Sequence, residues 1–215
     1  MNNNLTEIVA VLDRSASMQH LTNDTIRGFN DFLKEQREIP GEAVLTTVLF
    51  NDSCRVLHDR VNIKKIKPIS GKEYFAQGNT ALFDAMGKTI DDIGLKLYKT
   101  AENERPGKVI FFIITAGKEN ASHKYAKEKI KAMVELQKNT YSWEFIFMGA
   151  NTDALSTASA LGISGNRSFN YAADKEGVYS VQMAMSAAVS NLRKFKDVDA
   201  AQGINYREKI KRPKN

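Results

Sequence analysis

Short apolar runs alternate along the chain with longer segments in which apolar residues recur every three or four positions. The run Glu7-Ile-Val-Ala-Val-Leu12 ends at Asp13 and predicts a central parallel strand buried on both faces. Lys108-Val-Ile-Phe-Phe-Ile-Ile114, the most apolar segment, predicts a second mid-sheet strand that opens into a loop at Thr115-Ala116-Gly117. Residues 43–50 and 55–61 are rich in β-branched and apolar side chains, and the turn-prone Asn51-Asp52-Ser53 between them predicts a hairpin, hence one antiparallel edge strand. Residues 142–148 and 167–171 predict two further strands.

Between these runs the apolar period lengthens. Ile26, Phe29, Phe32 and Leu33 predict an amphipathic helix over 22–37, stopped by Pro40-Gly41. Leu82, Phe83, Met86, Ile90, Ile93 and Leu97 share one face of a helix expected over 80–99. Helices are also expected over 123–138, 153–161 and 175–195. The alternation argues for an α/β fold: a doubly wound, mostly parallel central sheet with one antiparallel edge strand and helices on both faces. Residues 1–196 then form one domain, and 197–215 a linker with a basic C-terminal tail.

Composition narrows the chemistry. With 215 residues, 42% of them hydrophobic, the chain can bury the core of one such domain. The formal net charge is +6, but five basic residues in 207–215 stand against Glu208 and leave +4 in the tail. The body is nearly balanced. Short basic termini are commonly solvated, and with only Tyr206 nearby the tail lacks a stacking platform for nucleic acid. No stretch approaches the roughly 18 apolar residues of a membrane span, and Met1-Asn2-Asn3-Asn4 opens no secretory signal, so a cytoplasmic protein is expected. Cys54 is the one cysteine, expected as a half-buried strand residue, and His20, His58 and His123 are scattered; a zinc site of cysteines or histidines is not expected.

Open α/β sheets bind ligands beyond the carboxyl ends of their strands, and three such places are polar. Asp13-Arg14-Ser15-Ala16-Ser17 sets a carboxylate and two hydroxyls at alternate positions. Gly78-Asn79-Thr80 offers a hydroxyl at a helix entrance, and Thr115-Ala116-Gly117-Lys118 is the third place. A carboxylate and hydroxyls, with waters filling the sphere, suit Mg2+ or Mn2+. An ion so poor in carboxylates accepts a further anionic ligand, such as the Asp or Glu of a partner protein.

In order and context, Asp13-x-Ser15-x-Ser17, Gly78-Asn79-Thr80-Ala-Leu-Phe-Asp84 and Ile114-Thr115-Ala116-Gly117 resemble the von Willebrand factor A family over residues 5 to 196. Phe147-Met-Gly-Ala-Asn151-Thr-Asp153 also looks like small stand-alone bacterial or phage members. The resemblance implies a Rossmann-like sheet with a metal-ion-dependent adhesion site at its top. Asp13, Ser15, Ser17 and Thr80 map onto the expected metal ligands, and a protein-binding rather than catalytic role follows. The third motif departs from the family, which usually has Asp where this chain has Ala116. Ala116 brings no donor atom, so either a water completes the coordination sphere or the site has lost much of its affinity, and a filled site carries one more unit of positive charge. Asp84 and Glu119 are near enough in sequence to compensate.

Plainer roles compete with each assignment. Asp13, Ser15 and Ser17 suit a loop that hydrogen-bonds its own backbone, Thr80 suits a helix N-cap, and Asp84 suits a first-turn carboxylate. Two other functions stay open. A metal-dependent hydrolase would need a general base, and no histidine or paired carboxylate falls within the motifs. A nucleic-acid-associated protein would work through the basic tail.

Overall fold

A computed structural model of the chain describes residues 1–150 and 154–194. Six strands form one sheet in the order β3-β2-β1-β4-β5-β6. They are β1 (Asn2–Asp13), β2 (Glu42–Phe50), β3 (Cys54–Asn62), β4 (Pro106–Thr115), β5 (Glu144–Ala150) and β6 (Ser168–Tyr171). Only the β2–β3 pair is antiparallel, which makes β3 the edge expected from the Asn51-Asp52-Ser53 turn. The remaining neighbours are parallel. The expected α/β fold is thus the observed one.

Strand alternation divides the core. Ile8, Ala10 and Leu12 of β1 face a cluster with Phe29, Phe32 and Leu33 of α1 (Thr22–Glu38) and with Val181, Met185 and Val189 of α5 (Lys175–Lys194). Val9 and Val11 face the opposite cluster, with α2 (Leu82–Lys99), α3 (Lys127–Tyr141) and α4 (Ala154–Ala160). Both faces of β1 and β4 are dry, which is why these strands read as continuous apolar runs. From β1 the sheet grows outward through β2, and from β4 it grows the other way through β5. The carboxyl ends of β1 and β4 therefore flank the place where the winding reverses, the usual ligand crevice of such sheets.

Several boundaries differ from expectation, among them three element starts. Strand β1 begins at Asn2 rather than at residue 7, because Asn2 and Leu5 pair with Pro106 of β4 and Glu42 of β2 despite the polar Asn2-Asn3-Asn4. Helix α2 begins at Leu82 rather than at 80, and α3 at Lys127 rather than at 123. In both, the displaced residues belong to the loops of the site described below.

The edge hairpin carries a buried ion pair that periodicity does not announce. Glu7 is fully buried; its carboxylate accepts from Arg60 Nε at 2.8 Å and from the Thr46 hydroxyl at 3.3 Å. Arg60 sits at φ 50°, held there in part by its own N–H donating to Thr46 Oγ1. Burial pushes the Glu7 carboxyl above its ordinary value, more than Arg60 pulls it down. Cys54 opens β3 half-buried, and desolvation pushes its thiol up.

Among the described residues no helix is long and apolar enough to cross a membrane. The boundary at residue 196, the linker and the basic tail lie outside the described residues, as do Asn151, Thr152 and Asp153.

Candidate metal centre

Strand β1 ends at Asp13, and its backbone is fixed there from several sides. The Arg14 N–H donates to the Phe50 carbonyl at 2.7 Å, and the buried Tyr74 hydroxyl donates to the Asp13 carbonyl at 2.5 Å. The Asp13 carboxylate turns inward. Its Oδ1 accepts from the Ser15 N–H at 2.7 Å, so part of its role is the local backbone bond that Asp commonly makes. Its Oδ2 reaches across to the end of β4, accepting from the Thr115 hydroxyl at 2.7 Å and from the Ala116 and Gly117 N–H groups, each at 3.3 Å. One carboxylate thus knits the first and third motifs together. Tyr171 donates its hydroxyl to the Thr115 carbonyl and fixes β4 as Tyr74 fixes β1.

The hydroxyls of Ser15 and Ser17 lie 2.7 Å apart, facing each other rather than the backbone. Thr80 joins them from a distant segment. A Cβ built on Gly117 would lie 2.2 Å from Thr80 Oγ1, 2.9 Å from Ser17 Oγ and 3.2 Å from Ser15 Oγ. Three hydroxyls from two segments thus surround one small space against the Gly117 backbone, and only glycine leaves that space open. The Thr80 side chain does not serve as the helix cap: α2 is preceded by Ala81 and has no side-chain cap bond at that position. Thr80 is 97% buried.

Asn120 holds the Thr80 backbone by a reciprocal pair, its Oδ1 accepting from the Thr80 N–H at 2.9 Å while its own N–H donates to the Thr80 carbonyl at 3.1 Å. Asp52 holds the preceding residue, accepting from both the N–H and the side-chain amide of Asn79. These hydrogen bonds keep Asp52 below the usual carboxylate range. Gly78, at φ 76°, turns the chain where any Cβ would meet Asp52 Oδ2 at 2.0 Å. Asn120, Tyr74, Tyr171 and Asp52 carry no motif signal, and periodicity offers no route to them.

Asp84 and Glu119, expected as compensating carboxylates, are engaged elsewhere. Glu119 Oε2 caps α2 by accepting from the Phe83 N–H at 3.0 Å, and also takes the Ser122 hydroxyl; its Oε1 takes the N–H groups of Ala121 and Ser122. Asp84 accepts from the N–H groups of His123, Lys124 and Tyr125. Partial burial pulls the Asp84 carboxyl up, but those three donors prevail and leave it below its ordinary value. Residues 118–126 are therefore spent as a loop tied to α2, which is why α3 starts late. Tyr125 completes the tie by donating to Asp91 at 2.7 Å, which, with burial, pushes its phenol up to about 12.

No family model matches the chain, and no curated protein does. Solved structures do match. Proximal thread matrix protein 1 from the mussel byssus superimposes with a TM-score of 0.59 at 14% identity, covering 88% of this chain and 48% of that one. A protein described as von Willebrand factor type A, from Catenulispora acidiphila, gives a TM-score of 0.58 at 14% identity, over 88% of this chain and 43% of that. The chain has the von Willebrand factor A-type fold. BatB from Bacteroides thetaiotaomicron, matched over its whole length and 88% of this A-type chain, gives 0.55 at 15% identity. The chain spans about half the length of the mussel protein. In one structure of that mussel protein zinc occupies the MIDAS motif, the metal-ion-dependent adhesion site.

The residues of this A-type domain fit a divalent cation by their donor chemistry. Among the described residues no group of three or more His, Cys, Asp or Glu could hold a metal. The available donors are instead neutral hydroxyl oxygens backed by one carboxylate, a hard set that suits a hard cation retaining water. Thr80, Ser17 and Ser15 bring three such oxygens together against Gly117.

Proposed function

We propose that this domain is a protein-interaction module that recognises an acidic side chain of a partner through a divalent cation, Mg2+ or Mn2+, acting in the cytoplasm. Ser15, Ser17 and Thr80 would hold the ion through their hydroxyls. Asp13 would orient the site and neutralise part of its charge. When bound, the ion supplies an electron-poor acceptor for an external carboxylate. With Ala116 in the third motif the chain contributes one carboxylate fewer than the usual pattern, so a larger share of the charge balance falls to the partner. The convergence of the three hydroxyls at Gly117 carries this reading.

Recognition is favoured over turnover because the carboxylates nearest the motifs already accept N–H or O–H donors: Asp13 four, Glu119 four and Asp84 three. A general base must be open to take a proton. Calorimetric titration of Mg2+, Mn2+ and Zn2+ into the wild type, Ala116→Asp and Thr80→Ala tests the proposal. We expect weak binding by the wild type, at least tenfold tighter binding after Ala116→Asp, and loss in Thr80→Ala. Absence of binding in both the wild type and Ala116→Asp would refute the adhesion-site reading.

A further inference from the structure

Beside the hydroxyl cradle a crevice of about 450 Å3, bordered by Thr115, Ala116 and Gly117, opens between the ends of β4 and β5 and the helices α2 and α4. Its volume lies within the range of small-ligand sites. Phe147, Leu82 and Leu161 supply apolar walls, and Gly149 lies against Ala154 so closely that a Cβ there would meet the Ala154 methyl at 2.5 Å. Lys118, Lys127 and Glu119 also line it; Lys127 Nζ lies 3.8 Å from Glu128 Oε1, and both oxygens of Glu119 are consumed by Phe83, Ala121 and Ser122. An apolar cavity with a basic rim, sharing a wall with a cation cradle, is complementary to a ligand that is acidic at one point and apolar beside it.

From this arrangement we infer that the crevice is a specificity subsite, which seats a large apolar side chain of the partner next in sequence to the Asp or Glu recognised at the cradle. The inference rests on the adhesion-site reading and adds the second half of the recognised motif. Burying a leucine there would contribute on the order of tenfold in affinity, as one large apolar group does in a preformed pocket.

Three blocked dipeptides separate the two claims: N-acetyl-Asp-Leu-amide, N-acetyl-Asp-Gly-amide and N-acetyl-Asn-Leu-amide, titrated with Mg2+ into 15N-labelled protein. With Asp-Leu we expect the amides of Gly117 and Ser17 to shift together with those of Gly149 and Leu161, and binding about tenfold tighter than for Asp-Gly. Thr157→Trp, which would fill the crevice from α4, should erase the advantage of Asp-Leu over Asp-Gly without changing Mg2+ binding. Equal affinities for Asp-Leu and Asp-Gly, both shifting Gly117 only with Mg2+, would overturn the subsite and leave the adhesion site standing. If Asn-Leu binds as tightly as Asp-Leu, or none of the three shifts Gly117, the coupled motif is overturned and the adhesion reading with it.

Discussion

Gly117 shows how much a single missing side chain can decide. The space its hydrogen leaves is bounded by Thr80, Ser17 and Ser15, so Gly117→Ala would put a methyl group where an ion is proposed to sit. We expect this substitution to abolish Mg2+ and Mn2+ binding by calorimetry. Its cost to stability in urea denaturation should stay at about 1 kcal/mol, because the intruding contacts are side-chain hydroxyls that can rotate away. Unchanged metal affinity in Gly117→Ala would place the ion elsewhere. That Asp13, Ser15, Ser17 and Thr80 gather at one end of the sheet is legible in the sequence, because alternation after a buried strand and a polar helix entrance are local patterns. Asp84 and Glu119 are not: spacing places a carboxylate near a site but does not say which N–H groups will claim it first. Asp84 spends its charge on the amides of residues 123–125.

That engagement shapes a whole element. Because the donors hold the Asp84 carboxyl below the ordinary value of 3.8, its contribution to stability is fully present above that value and is lost as pH falls through the lower folded one. Asp84→Asn should therefore be less stable than the wild type at pH 6, with the gap closing as pH falls below the ordinary 3.8, as read from urea midpoints at each pH. Amide exchange in Asp84→Asn should quicken at residues 123–125 before it does in α3. Equal protection of those amides in both proteins would show the tie to be unimportant. The late start of α3 follows from the same cause. Apolar spacing is silent about a segment whose backbone donors are satisfied by side chains rather than by the preceding turn. The strands are more legible, since dry runs on β1 and β4 and the Asn51-Asp52-Ser53 turn leave few alternatives. The polar start of β1 carries no such signal, because ladder pairing rather than burial extends it.

At the scale of the molecule the apolar pattern was enough for the layered fold, and the strand order placed the first and third motifs side by side. What it concealed is the polar content of the interior, above all Glu7 paired with Arg60 beneath the edge hairpin. Arg60→Gln would strand a buried carboxylate, and we expect a loss of about 3 kcal/mol at pH 7.5. The sign of the pH dependence follows from the elevated Glu7 carboxyl: a group raised in the folded state favours folding below its unfolded value, and that contribution fades as pH climbs through the folded one. The penalty in Arg60→Gln should therefore shrink toward pH 5, as Glu7 takes up a proton. A penalty independent of pH, measured by chemical denaturation, would mean that the pair acts through packing alone.

The stitched loop between β4 and α3 also bears on kinetics. With Glu119, Asn120, Asp84 and Tyr125 already holding its backbone, a visitor arriving at the sheet's rim meets a surface that needs little further ordering. Arrival rates should then be alike for good and poor visitors, and the difference between them should show in how long each one stays.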